Sequence, residues 1–126
     1  MGQADAVAML TELNARRVSK GLAQLALDPR LCAIALEHAS DMVARAYFDH
    51  NTPEGVSPFA RMDRAGYTYG YAGENMALDK NPGAAELALW QSPEHRQNIL
   101  EVHYLKVGIA AVRASAGEIF VEDFSD

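Results

Sequence analysis

The chain has 126 residues, 49% of them hydrophobic and 22% charged, and this length and balance predict a single globular domain. The formal net charge of −6 argues against the basic surface through which proteins bind nucleic acid phosphates. No apolar run approaches the ~20 residues that a membrane-spanning helix requires, so we expect no transmembrane segment. We therefore predict one domain over residues 1–126, with a core large enough to fold without disulfides.

Three helices are predicted in the first half of the chain. The first covers Asp5 to Ser19, where apolar residues recur at helical spacing. The second begins at Asp28-Pro29, because aspartate can cap a first turn and proline suits the first helical position. It ends before Phe48. The pair Ser57-Pro58 repeats this start signal and predicts a short third helix that ends at Gly66.

Alternating tyrosines follow the third helix. Tyr67, Tyr69 and Tyr71 recur at period two, the spacing of a strand with one buried face. Two more helices are predicted after them. One starts at Asn81-Pro82 and runs through Trp90, and the other starts at Ser92-Pro93. Ser92, like Ser57 before the third helix, is predicted to cap its helix.

The last quarter of the chain is rich in β-forming residues. Leu105–Arg113 and Glu118–Phe124 are predicted strands, joined by residues 114–117 as a hairpin. Helices followed by an antiparallel hairpin indicate an α+β fold, with helices packed on a small antiparallel sheet.

The single cysteine and the start of the chain give two further expectations. Cys32 excludes an internal disulfide, and its apolar neighbours Leu31 and Ile34 predict a buried structural thiol. The opening residues, Met1 to Asp5, lack a basic region followed by an apolar stretch, so we expect no signal peptide in this sequence.

The four histidines are the residues most indicative of function. His38 falls in the apolar face of the second helix, where a hydrogen-bonded core histidine is the usual case. His103 lies in a loop and resembles any surface residue. His50 follows a helix, where polar side chains can project into a binding site. His95 lies in the first turn of a helix, whose dipole disfavours the charged ring.

Glu74 completes a candidate metal site. Two imidazoles, from His50 and His95, and the Glu74 carboxylate could together bind zinc or another divalent cation. Their wide spacing fixes no geometry, so a structural hydrogen-bonded pair of His50 and Glu74 stays an alternative. Neither a Gly-x-Ser-x-Gly elbow nor a phosphate-binding glycine loop is present.

The ordered set of motifs resembles the bacterial, SCP-like branch of the CAP superfamily, which includes cysteine-rich secretory proteins, antigen five and plant pathogenesis-related proteins. The similarity runs from about Leu13 to Phe124. Its segments, in chain order, are Leu13-Asn14-x-x-Arg17, Gly21-Leu22-x-x-Leu25, Asp28-x-x-Leu31, Ala35-x-x-His38-Ala39-x-x-Met42, Phe48-x-His50, Arg61-x-x-x-Ala65-Gly66-Tyr67, Gly73-Glu74-Asn75, Ser92-Pro93-x-His95-Arg96-x-Asn98-Ile99-Leu100, Val107-Gly108-Ile109-Ala110 and Phe124.

The resemblance implies a three-layer α-β-α sandwich with a small central antiparallel sheet and an open cleft. The family's cleft holds two histidines and two acidic residues, which His50, His95 and Glu74 match in part. Several relatives bind a divalent ion there, often zinc, and others are reported to bind sterols or lipids. The family has no single common activity, and its members act outside the cytoplasm.

This sequence departs from the family pattern around the last helices. Ser92 stands near the position of the second acid, as is usual in the bacterial branch, and Leu89 stands where tryptophan is expected. Trp90 is therefore one residue closer to Ser92 than the family norm. Glu94 lies nearby and could supply a carboxylate, although it does not match the motif. The absence of disulfides fits the bacterial branch.

Three functions follow as hypotheses. The first is a secreted, periplasmic or cell-surface binding module whose cleft binds a divalent cation, with a protein, lipid or cell-wall ligand as partner. The second is a metal-assisted hydrolase or peptidase in which His50, Glu74 and His95 act, with Glu74 or Glu94 as general base. The third is a sterol or lipid carrier, with an apolar groove near the tyrosines or the Phe59 and Met62 face.

Overall fold

A computed structural model describes residues 2–126, and Met1 lies outside the described residues. Within that range the chain forms five helices and four strands. In chain order they are α1 (Gly2–Ser19), β1 (Ala26–Leu27), α2 (Pro29–Arg45), α3 (Pro58–Arg64), β2 (Ala72–Asp79), α4 (Pro82–Gln91), α5 (Pro93–Ile99), β3 (Lys106–Ala114) and β4 (Gly117–Ser125).

The four strands form one sheet in the order β1-β3-β4-β2. The predicted hairpin is present, since β3 and β4 pair antiparallel along their full lengths across a two-residue turn. β2 pairs antiparallel with β4 and forms one edge of the sheet. At the other edge β1 adds a two-residue parallel pair to β3. The antiparallel sheet of the predicted α+β fold is therefore confirmed, with this short parallel addition.

Helices cover both faces of the sheet. One core cluster joins α1, α4 and α5 to side chains such as Ile109, Phe120 and Phe124. A second cluster joins α2 to Ala110 and Val121 on the opposite face. Strand residues point alternately to the two faces, so neighbouring residues of β3 and β4 serve different cores. This arrangement is the three-layer sandwich that the resemblance implied.

Proline follows a polar residue at the start of four of the helices. The side chains of Asp28, Ser57 and Asn81 accept backbone N–H groups of the first turn, as the sequence predicts. Ser92 occupies the same position before α5, but its side chain makes no capping hydrogen bond. Ser92 therefore lies at the predicted N-cap position without a side-chain cap, and its hydroxyl is free for another partner.

The predicted tyrosine strand is also wrong. Residues 67–71 form an irregular segment, and the strand begins at Ala72. Tyr67 is buried in a small cluster with Leu31, Ile34 and Met62, and Tyr69 packs against the same cluster, whereas Tyr71 is exposed. Because β2 starts later than predicted, Glu74 lies inside a strand and points to one face of the sheet. The short strand β1 was not predicted.

Two buried positions differ in how well the sequence predicted them. His38 is 1% exposed, and its Nε2 donates to the carbonyl of Asp49 at 2.8 Å, which confirms a hydrogen-bonded core histidine. Cys32 is only partly buried, because it borders a cavity between α1, α2 and β3. Burial still raises the pKa of its thiol, which disfavours the nucleophilic thiolate. No helix among the described residues has the length and apolar character needed to cross a membrane.

Candidate functional site

His50, Glu74 and Arg61 form a hydrogen-bonded group at the β2 edge of the sheet. His50 Nδ1 donates to Glu74 Oε1 at 2.9 Å. Arg61, on α3, donates from Nη1 to Glu74 Oε2 at 2.9 Å and from Nη2 to Oε1 at 3.0 Å. The same Nη2 donates to the His50 carbonyl at 2.7 Å, so Arg61 fixes both the backbone and the partner of this histidine. This bidentate pairing holds Glu74 rigidly.

The partners of Glu74 determine its charge. Burial alone would raise its pKa, but hydrogen bonds from His50, Asp123 and Arg61 outweigh burial and lower the pKa to about 2. The same bond to Glu74 raises the pKa of His50. Asp123 faces Glu74 across the β2–β4 pair, and burial and the Glu74 charge raise the pKa of Asp123 well above its ordinary value. The raised pKa favours the protonated form of Asp123 beside an ionised Glu74.

His95 lies in the first turn of α5 and is partly buried. Its Nδ1 lies 2.8 Å from the Ser92 hydroxyl, within hydrogen-bonding distance. Burial and the nearby His50 lower the pKa of His95, which favours its neutral form. The two histidines are thus close enough for a charge on His50 to disfavour a charge on His95, and their pKa values shift in opposite directions.

Asparagines hold α5 against β2. Asn75 Nδ2 donates to the His95 carbonyl at 3.0 Å, and Asn98 Nδ2 donates to Asn75 Oδ1 at 2.9 Å. Asn75 and Glu74 are neighbours in β2 and therefore point to opposite faces of the sheet. His50 approaches the β2 edge from the face that Glu74 occupies, whereas His95 approaches from the other. We call His50, Glu74, Arg61, Ser92 and His95 together the histidine site.

A second pair of acids lies under α4, on the face opposite to Glu74. Glu86 and Glu122 are both 0% exposed. Burial and the charge of Glu122 raise the pKa of Glu86 to about 12, and burial raises the pKa of Glu122. Asn75 Nδ2 lies 3.4 Å from Glu122 Oε1, which connects this pair to the strand that carries Glu74.

The predicted site residues lie near one another, but not as a preformed metal site. Among residues 2–126, no group of three His, Cys, Asp or Glu side chains has an arrangement that could hold a metal ion. Both Glu74 oxygens already accept hydrogen bonds, and Glu94 is exposed. The ligand set His50, Glu74 and His95 stays a prediction. His103 lies at the surface as expected, where it stacks on Tyr71 at 3.8 Å between ring centroids.

Two further residues of this region were not predicted as site residues. Arg61 was identified only as part of a motif, and Asp123 was not noted. A signal for Asp123 exists, because it follows Ile119 and Val121 at period two and so shares their face of a strand in which residues 118–125 are all buried. An acid at such a position has to be neutral or paired.

Two cavities lie apart from the two histidines, and one of them shares Arg61 with the histidine site. One, of about 580 Å³, lies between α2 and α3, with His38 and Arg61 in its wall. The other, of about 560 Å³, is largely apolar and lies between α1, α2 and β3. Neither is lined by His50, Glu74 or His95. The Phe59 and Met62 face is not an apolar groove, because Met62 is fully buried.

Sequence comparison identifies the family. The model of the cysteine-rich secretory protein family, CAP, matches residues 10–124, and the chain belongs to this family. It is similar to two Bacillus subtilis proteins. An uncharacterised protein, YkwD, is 35% identical over 112 residues, and an uncharacterised membrane protein, YlbC, is 30% identical over 110 residues. The matches cover 88% and 86% of this chain, but only 43% and 32% of the relatives.

Solved structures share the fold. An extracellular protein containing an SCP domain from Bacillus anthracis superposes with a TM-score of 0.85 at 25% identity, covering 98% of this chain and 41% of that one. An outer surface protein from Borrelia burgdorferi gives a TM-score of 0.91 at 21% identity, covering 100% of this chain and 98% of that one. In the Borrelia structure this fold accounts for almost the whole of the solved chain.

Proposed function

We propose that this domain is a binding module that acts outside the cytoplasm and binds a divalent cation between His50 and His95. The extracytoplasmic location is inferred from the family and from the two structural neighbours, which are described as extracellular and outer-surface proteins. The observation that carries the cation proposal is the use of the ring nitrogens. Each histidine uses Nδ1 for a contact within the site, and neither Nε2 has a hydrogen-bond partner among residues 2–126.

This use of Nδ1 is typical of histidines that bind metals through Nε2. Such rings usually donate Nδ1–H to a carboxylate or another acceptor, which fixes their orientation. His50 donates in this way to Glu74, and Ser92 is the corresponding partner of His95. In this proposal Glu74 is an orienting residue, because Arg61 and His50 occupy its oxygens. The two imidazoles would then be the only protein ligands, and the other coordination positions would be open to water or a partner.

Two nitrogen ligands and no free carboxylate favour one class of cation. Imidazole suits zinc, copper and nickel ions, whereas calcium and magnesium require oxygen ligands. An ion held by two residues and water would exchange readily. These features support a site that responds to the concentration of a transition metal rather than one that binds a permanent structural metal.

The hydrolase hypothesis has weaker support. A general base that works near neutral pH needs a pKa in that range. The pKa of Glu74 is about 2 and its oxygens are occupied, so it is a poor base. Glu94 is exposed and makes no hydrogen bond within the site. We therefore place binding ahead of catalysis.

Calorimetry with zinc chloride near neutral pH tests the proposal. We expect the wild-type protein to bind one zinc ion with micromolar or tighter affinity, and the His50→Ala and His95→Ala variants each to lose most of that affinity. His103→Ala is the matched control, because His103 is partly exposed but lies outside the histidine site. Calcium and magnesium chloride should give no binding heat at the same concentrations.

The outcome is decisive in either direction. Binding that is lost in both histidine variants and kept in His103→Ala supports the proposal. Equal affinity in all four proteins, or a clear preference for calcium, would overturn it. In that case His50 and Glu74 would be a structural pair.

A further inference from the structure

Ser92 and Ser57 occupy equivalent positions but make different contacts. Each serine precedes the proline that opens a helix. The Ser57 hydroxyl accepts the backbone N–H of Ala60 at 3.1 Å, which is an ordinary N-cap. The Ser92 hydroxyl makes no such bond and lies 2.8 Å from His95 Nδ1. The chain therefore uses one serine to cap its helix and the other to contact a histidine.

A contact at Nδ1 decides which nitrogen of a neutral histidine carries the proton. A neutral ring has one N–H and one lone pair, so an acceptor at Nδ1 leaves the lone pair on Nε2. The Ser92 hydroxyl has no other hydrogen-bond partner among residues 2–126 and is free to accept this proton. Asn75 holds the His95 backbone from the other side. The main chain and the ring of His95 are thus restrained separately.

We propose that Ser92 is a positioning residue that accepts the Nδ1 proton of His95, so that the unprotonated Nε2 is available to a ligand. This inference deepens the proposed function, since it rests on Nε2 being the ligating atom. It also implies that the two histidines differ in strength as metal ligands. His50 is oriented by an ionised carboxylate, whereas His95 is oriented by a neutral hydroxyl. A carboxylate partner makes an imidazole a stronger ligand, so the hydroxyl keeps His95 the weaker one.

The tautomer of His95 can be measured without any metal. Nitrogen-15 NMR of the histidine rings, recorded at a pH where His95 is neutral, distinguishes Nδ1–H from Nε2–H. We expect Nδ1–H at His95 in the wild-type protein and a shift toward Nε2–H in Ser92→Ala. Ser57→Ala is the matched control. It should lower the unfolding temperature through loss of its cap and leave the His95 tautomer unchanged.

Zinc affinity gives the second measurement. Loss of an orienting partner typically weakens metal binding by about 10- to 100-fold, and we expect Ser92→Ala to fall in this range. Ser92→Thr keeps the hydroxyl and should keep both the tautomer and the affinity, which covers the case in which Ser92→Ala folds poorly. Ser92→Asp should bind zinc more tightly than the wild type.

The two proposals fail in different ways. An Nε2–H tautomer in the wild type, or an unchanged tautomer in Ser92→Ala, would overturn the role of Ser92 whatever the protein binds. An Nδ1–H tautomer that depends on Ser92, in a protein that binds no zinc, would confirm Ser92 as the orienting residue and overturn the proposed function instead.

Discussion

Each face of the sheet buries an acidic residue, and the neighbouring groups shift the pKa values of these two residues in opposite directions. Glu74 is 7% exposed and lies between His50 and Arg61, and its pKa is lowered to about 2. Glu86 is 0% exposed and lies against Glu122, and its pKa is raised to about 12. Burial raises the pKa of both residues, so burial does not explain the difference.

The comparison shows that neighbouring charge, more than depth, sets the ionisation of a buried acid in this domain. Asn75 and Glu74 are adjacent in β2 and face the two environments. On the Glu74 face, a guanidinium and an imidazole stabilise the carboxylate. On the Asn75 face, the nearest partner of Glu86 is another acid, which stabilises the protonated form. The three predictions below test this contrast.

Removal of Arg61 should have the largest effect. Arg61→Met leaves the buried Glu74 carboxylate without its bidentate partner, and breaking a buried ion pair in this way costs about 3–5 kcal/mol. Urea denaturation at neutral pH measures the free energy of unfolding. Arg64→Met is the control, since Arg64 lies on the same helix but is exposed, and it should change stability by less than about 0.5 kcal/mol. Equal effects of the two substitutions would contradict the assigned role of Arg61.

Glu86→Gln should change how stability depends on pH. The unfolded Glu86 loses its proton near 4.5, whereas the folded residue keeps it until about 12. Between these values folding takes up a proton, so Glu86 makes the wild type less stable as the pH rises, by up to about 1.4 kcal/mol per pH unit. The amide has no proton to lose, and the variant should lack this loss.

Urea denaturation at several values between about pH 5 and pH 8 tests the Glu86 prediction. Glu37→Gln, at an exposed position on α2, is the matched control and should leave the pH dependence of the wild type unchanged. Parallel stability curves for the wild type and Glu86→Gln would show that Glu86 is ionised in the folded protein.

Glu74→Gln should have the smallest effect of the three, a change in the pKa of His50. The Glu74 carboxylate raises this pKa, so the histidine contributes stability that is fully present below its unfolded pKa and is lost as the pH rises through its folded pKa. NMR titration of the wild type should place the pKa of His50 above that of His95. The variant should show a lower pKa for His50, and an unchanged pKa would mean that the two groups are not hydrogen-bonded in solution.

The sequence predicted the helices and the hairpin well because their signals are local. The residues before three of the helix-starting prolines cap as expected, and the paired strands of the hairpin flank a short turn. It failed at the tyrosines, because Tyr67 and Tyr69 pack in the cluster formed with α2 and α3, and Tyr71 stacks on His103, rather than pairing in a sheet. Two-residue β1 is too short to give a periodic signal.

The sequence named three residues of the candidate site but not the contacts that they make. His50 and Glu74 are bonded directly, and His95 lies close by, as the motifs implied. The hydrogen bond from Arg61 to Glu74 depends on how α3 packs against β2, and no local sequence pattern predicts that packing. The Ser92 hydroxyl contacts His95 instead of capping α5, and the Ser-Pro sequence alone does not distinguish these two contacts. The favoured protonation of Asp123 follows from the register of β2 and β4, which is known only once the strands are paired.

The approach of the two histidines from opposite faces has a mechanical consequence. β2 has a neighbouring strand on one side only, so its outer edge is unpaired and lies between the two helical layers. A ligand held by both His50 and His95 would bridge the layers across this edge. It would hold the two layers together, and the amide protons of β2 would exchange with solvent more slowly as the ligand concentration rises. Slower amide exchange confined to β2, the edge strand, would therefore indicate that the ligand has bound.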